Sequence, residues 1–161
     1  MMESKVWYLE LMERAQFVPS MIPEGLELRE IQDASTNARF YREVGSRWHW
    51  TDRLSWTDSQ WEKWVDRENL KTWIAHFEDE EAGYVEMEIQ EGGSVEVVYF
   101  GLLPAMIGKG LGGGMLSLSV QEAWRIEEAR RVWLHTCNED HPHALGNYEK
   151  RGFRLFRTEV V

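Results

Sequence analysis

Apolar and polar residues alternate with a period of two over residues 72–77, 83–90 and 94–102, which predicts three successive strands of an antiparallel sheet. Gly92 and Gly93 supply the turn between the last two, and a two-residue turn there pairs Ile89 with Glu96 and Met87 with Val98. Before residue 70 the pattern is mainly helical. After a strand over 26–31, Asp33 or Ser35 caps a helix that carries Phe40, Tyr41 and Val44 and stops at Gly45. Thr57 caps a second helix with Trp61, Trp64 and Val65 at helical spacing. Beyond a glycine-rich loop, Leu116, Val120, Ala123 and Trp124 form the apolar stripe of an amphipathic helix. Residues 131–136 read as a buried strand, Pro142 opens a helix bearing Leu145 and Tyr148 that Gly152 closes, and residues 153–161 alternate as a last strand. The mixture is an α/β (α+β) pattern, and residues 19–25 set off an N-terminal arm, residues 1–24.

With 161 residues, 43% of them hydrophobic, the chain can bury one substantial core, so residues 1–161 are expected to form a single domain. Acids outnumber bases by 28 to 18, a net charge of -10, which argues against a nucleic-acid partner and suits a cationic or amine-bearing substrate. The only cysteine, Cys137, excludes an intramolecular disulfide framework, and the first residues lack the basic and apolar regions of a signal peptide, so a cytoplasmic location is expected. The longest apolar stretch, residues 97–107, is interrupted by Gly101 and Pro104, so no membrane partner is expected. Oligomeric state is left open, a homodimer included. Of nine tryptophans, Trp48, Trp50, Trp56, Trp61, Trp64 and Trp73 crowd into one quarter of the chain.

The stretch 102–115 carries the chemistry: a strand ends, Pro104 breaks it, and Gly108, Gly110, Gly112, Gly113 and Gly114 precede a helix. Glycine lets a backbone approach a phosphate closely, and the free amides at a helix start favour an anion, to which Lys109 adds a charge. A Walker loop needs Ser or Thr after Gly-Lys, and Gly110 stands there instead. Gly108, Gly110 and Gly113 fit a dinucleotide fingerprint, but residues 114–161 are too few to complete a doubly wound domain.

The run Leu102-Leu103-Pro104 followed by Gly108-Lys109-Gly110-Leu111-Gly112 closely resembles the GNAT N-acetyltransferase superfamily. Ala144-Leu145, Asn147-Tyr148-Glu149-Lys150 and Gly152-Phe153 are similar to that family's closing helix and turn. The resemblance spans residues 26–158 and leaves the N-terminal arm outside the common core. It implies a mostly antiparallel central sheet flanked by helices, splayed after Phe100 at an acyl-CoA site. It also implies acetyl-CoA as co-substrate, held by Leu102, Leu103, Ile107, Gly108, Lys109, Gly110, Leu111, Gly112, Gly113 and Asn138. Two positions depart from the family pattern: Ile107 replaces the usual Arg or Gln, and His141 stands where many members have Asn. The implied reaction is direct attack of a neutral amine, on a small molecule or a peptide, upon the thioester in a ternary complex, with Tyr148 protonating the departing thiolate. An acyl-CoA sensor that binds without turnover is the alternative.

For the base, the two-residue turn puts Glu96 on an apolar face with Ile89, Met87, Val98 and Phe100, where a carboxyl pKa rises, although a one-residue slip reverses this. Trp61 and Trp64 read as core, whereas Trp48, His49, Trp50 and Trp56 read equally as core or, with Tyr99, as an acceptor pocket; His49 is an alternative base. His135, Cys137, His141 and His143 lack a familiar zinc spacing, so no metal is expected, and no base is fixed beside Cys137 to make it a nucleophile.

Overall fold

The computed structural model describes residues 4–161. Its strands are β1 (Lys5–Leu11), β2 (Leu26–Ile31), β3 (Leu70–Phe77), β4 (Glu80–Ile89), β5 (Ser94–Leu102), β6 (Arg131–Cys137) and β7 (Arg154–Val160). Its helices are α1 (Ala34–Gly45), α2 (Asp58–Val65), α3 (Gly112–Arg125) and α4 (Ala144–Lys150). The strands form one seven-stranded sheet in the order β2-β3-β4-β5-β6-β1-β7. Neighbours are antiparallel except β5 and β6, which run parallel.

Strand alternation divides the apolar residues between two faces. Leu9, Leu11, Val85, Met87, Val95, Val97, Val132 and Leu134 meet Met115, Leu116, Val120 and Ala123 of α3 in the main core. On the other face, α1 contributes Phe40 and Val44 against Ile74 and Tyr84, while Tyr41 and Trp61 form a second cluster with Val65 and Leu70. Both helices start where side chains can cap them. Asp33 accepts from the Ser35 amide, and Thr57 and Gln60 form a reciprocal capping box.

Two expectations are corrected. The segment read as an arm outside the common core supplies β1, whose Leu9 and Leu11 are fully buried between β6 and β7; residues 1–3 of that arm lie outside the described residues. The β4–β5 register is also displaced. The turn contains three residues, Glu91–Gly93, and not two, so Ile89 pairs with Val95, Glu88 with Glu96, and Met87 with Val97. Glu96 is thereby moved off the apolar face of Met87 and onto the opposite one. A bulge at Val98 then absorbs one residue, and Glu86 pairs with Tyr99. Past the bulge the pairing is the one that a two-residue turn predicts.

Candidate active site

Pairing between β5 and β6 covers only residues 94–96 against 131–133. Beyond it the strands part, and the gap is a cleft of about 680 Å³ walled by residues 97–102 on one side and 134–137 on the other. The opening starts after the Glu96–Trp133 pair, four residues earlier than the expected position after Phe100. The bulge at Val98 supplies the reason, because an extra residue bends the strand that carries it and ends regular pairing.

One end of the cleft is closed by the glycine turn. Pro104 starts a single 3-10 turn, Leu103 donates its amide to Ala82, and Gly108 and Gly110 take φ values of +88° and +77°. A Cβ at Gly108, Gly110 or Gly112 would meet nothing within 4 Å, whereas one at Gly114 would lie 2.5 Å from Pro23 Cδ. The first three glycines therefore face open space, and the last serves packing. Helix α3 begins at Gly112 without a side-chain cap, so its leading amides carry the positive end of the helix dipole into the cleft. Ile107, Gly108, Gly110, Leu111, Gly112 and Gly113 line that end, with Leu102 beside them. Lys109 and Leu103 do not; Leu103 packs with the Phe40–Tyr84 cluster. Asn138 is also outside the lining and exchanges backbone-directed hydrogen bonds with Lys5, at 3.1 and 3.2 Å.

The opposite wall comes from β6, α4 and the turn between them. Asp140 fixes this turn by accepting from Thr136 Oγ1 at 2.5 Å and from the Cys137 amide at 3.0 Å. Tyr148 reaches the cleft from α4, half-buried and edge-on to Phe153 at 5.7 Å. Burial pushes its phenol pKa up, and the Asp140 charge adds to the shift. Burial also raises the Cys137 thiol, leaving it a protonated wall residue. Among the described residues, no group of three His, Cys, Asp or Glu side chains is placed to hold a metal ion.

The elements that build this cleft, β5 to α4, fall within a single family match. The profile described as "Acetyltransferase (GNAT) family" matches residues 28–153. The chain belongs to this family. No curated protein matches the sequence. Among solved structures, the GCN5-related N-acetyltransferase from Sphaerobacter thermophilus is similar with a TM-score of 0.74 at 17% identity, covering 98% of this chain and 50% of its own. The one from Kribbella flavida gives 0.70 at 17% identity, covering 97% and 56%. This chain thus spans about half the length of either. The aminoglycoside acetyltransferase meta-AAC0020, from an uncultured soil metagenomic sample and in complex with sisomicin, gives 0.61 at 11% identity, covering 79% and 86%.

In this GNAT chain, the loop between α1 and α2 closes the remaining side of the cleft. Trp48, His49, Trp50, Thr51 and Asp52 line it together with Tyr99 of β5. Trp50 lies 4.6 Å from the Tyr99 ring, and Trp48 lies 5.3 Å from His141 across the cleft mouth. Trp56 is not there. It packs in the second cluster with Trp61 and Trp64, and these rings surround a cation supplied by the chain itself. The Arg53 guanidinium sits 4.5 Å from Trp64, 4.6 Å from Trp56 and 4.7 Å from Tyr99. It is only 6% exposed and donates to Glu86, which is fully buried, at 2.9 Å. Glu86 also accepts from Trp64 Nε1, Asn37 Nδ2 and the Tyr84 hydroxyl. This pair was missed from the sequence because Glu86 alternates with Val85 and Met87 like any outward strand glutamate. Arg53 within a run of tryptophans was the one available signal.

Glu96 does not line the cleft; it lies one residue before the lining run, partly buried, with its pKa raised by desolvation. Gln90 Nε2 donates to its Oε1 at 2.9 Å, and His135 Nε2 lies 3.9 Å from its Oε2.

Proposed function

We propose that the chain is an acetyl-CoA-dependent N-acetyltransferase, acting as one domain, that moves an acetyl group to a primary amine by direct attack while both substrates are bound. The carrying observation is that the glycine turn and the β5–β6 opening form one continuous cleft. A pyrophosphate suits the amides of residues 108–113: α3 starts there without a side-chain cap, Gly108, Gly110 and Gly112 leave room for close approach, and Lys109 adds a positive charge within the turn. Ile107 removes a side-chain donor, but the backbone amides remain. The acyl-pantetheine arm fits between residues 97–102 and 134–137, where unpaired strand edges can polarise a carbonyl. Tyr148 is suited to protonate the departing thiolate because burial keeps its phenol in the donor form.

The acceptor enters beside Trp48, His49, Trp50, Asp52 and Tyr99, an aromatic and acidic wall that suits a cationic amine. The soil-metagenome relative, an aminoglycoside acetyltransferase, supports an amine of this kind. A single cysteine, which forms no disulfide framework within the chain, suits a reducing cytoplasm.

Calorimetric titration with acetyl-CoA, alongside NAD and ATP, tests the reading. Selective acetyl-CoA binding followed by thiol release with amines is the expected outcome. Binding without thiol release from any amine would make the chain a sensor, and no acetyl-CoA binding would overturn the proposal.

A further inference from the structure

We propose that His135 is the residue that takes the proton from the acceptor amine, and that Glu96 acts through it as a positioning residue; this rests on the acyl-transfer reading. His135 lies on β6 two residues beyond Trp133, the last residue paired with β5, so it is the first side chain on its face where the strands have parted. It lines the cleft, whereas Glu96 does not. Its Nε2 stands 3.9 Å from Glu96 Oε2, within ion-pair range across the opening.

The carboxylate is held in place from behind. Gln90 Nε2 donates to Glu96 Oε1 at 2.9 Å, and Gln90 Oε1 itself accepts from Trp133 Nε1 at 3.0 Å. One oxygen is thereby occupied and the other is left toward the imidazole. Nε2 is the ring nitrogen nearer Glu96, so the proposal puts the proton of the neutral ring on Nε2 and leaves Nδ1 as the acceptor. The groups facing His135 are Glu96 from β5 and the Tyr8 ring from β1, at 5.7 Å. Behind them stand Glu88 of β4, tied to Gln90 and Arg67, and Glu159 of β7, which accepts from the Tyr8 hydroxyl. Of these three carboxylates, Glu88 is paired with Arg67 and Glu159 with Arg157, which leaves Glu96 as the one without an arginine partner.

Two other ionisable groups on the cleft wall already have partners. Asp140 is engaged by Thr136 and Cys137, and His141 accepts from the His143 amide at Nδ1. Of the histidines lining the cleft, among the described residues only His135 has a carboxylate within 4.0 Å. In the step, the ammonium N–H proton passes to Nδ1 and the freed nitrogen lone pair forms a bond to the acyl carbon. The C–S bond then breaks, the thiolate receives its proton from Tyr148, and the second proton of the attacking nitrogen, acidic once the N–C bond has formed, restores the phenol, so that neutral amide and thiol leave while His135 holds the first proton and passes it to solvent.

The test is the pH dependence of kcat/KM for an amine acceptor at saturating acetyl-CoA. The wild type should lose rate on the acid side as the base becomes protonated. His135→Gln should lower kcat/KM by about 100-fold and remove that acid limb, with acetyl-CoA affinity by calorimetry unchanged. Glu96→Gln, which removes the anion but can still accept from Gln90, should keep the limb and lower kcat by about 10-fold with KM for the amine unchanged. If His135→Gln retains both rate and acid limb, His135 is not the base and the acyl-transfer reading survives. If the wild type turns over no amine, both fall together.

Discussion

Tyr148 shows how much a single side chain can be assigned. Its motif neighbours located it on a closing helix, and the structure puts its half-buried ring on the cleft wall against Phe153. Because desolvation raises its pKa above the ordinary 10.0, the hydroxyl stays protonated throughout the neutral range and up to at least that value. Tyr148→Phe keeps the ring and removes only the donor. We expect kcat to fall by about 100-fold while the acetyl-CoA dissociation constant is unchanged, as for an interaction made only in the transition state. Steady-state rates beside calorimetry decide it; an unchanged kcat would remove the acid role. Glu96 was less legible at this scale. Its strand was clear, but its face depended on whether the turn held two residues or three, and period-two patterns change sides with a shift of one.

At the scale of elements, the join between β5 and α3 was the most legible part of the chain, since phosphate cradles need glycine at positive φ and free helix amides, and both are written in residue types. Gly110 has φ of +77° and open space where a Cβ would stand. Asp is among the few side chains that tolerate this backbone region, at a cost of about 1–2 kcal/mol, so Gly110→Asp should fold. The new carboxylate would then oppose the phosphates. Loss of acetyl-CoA binding by about 100-fold or more is expected, with an unaltered circular dichroism spectrum. Undiminished binding would show that the turn is not the cradle. The bulge at Val98 and the Arg53–Glu86 pair were not legible for a common reason: each exists only through partners far along the chain. A bulge is defined by the opposing strand. An arginine is stripped of water only where α1, the α1–α2 loop and α2 close around it, and the aromatic rings and Glu86 then replace its hydration.

At the scale of the molecule, strand order was beyond reach, since nothing local marks which strands separated by a hundred residues become neighbours. Residues 5–11 did carry a sign of membership. Trp7, Leu9 and Leu11 alternate with Val6, Tyr8 and Glu10, and the first set meets the α3 core. In the sheet β1 separates β6 from β7, so β7 has no other strand to pair with and the β6 wall of the cleft is braced from outside by β1. Leu9 is a residue of the main core and not part of a loose arm. Leu9→Ala should then lower unfolding stability by about 2–5 kcal/mol, the usual effect of emptying a buried leucine site. Met12→Ala, just past the strand and 57% exposed, should change it by less than about 0.5 kcal/mol. Urea denaturation of the two variants makes the comparison. Equal small shifts would mean that β1 is not held in the sheet, and the cleft would then lose the strand that supports its β6 wall. A large shift for Leu9→Ala alone places the first strand of the chain among the elements on which the active-site geometry depends.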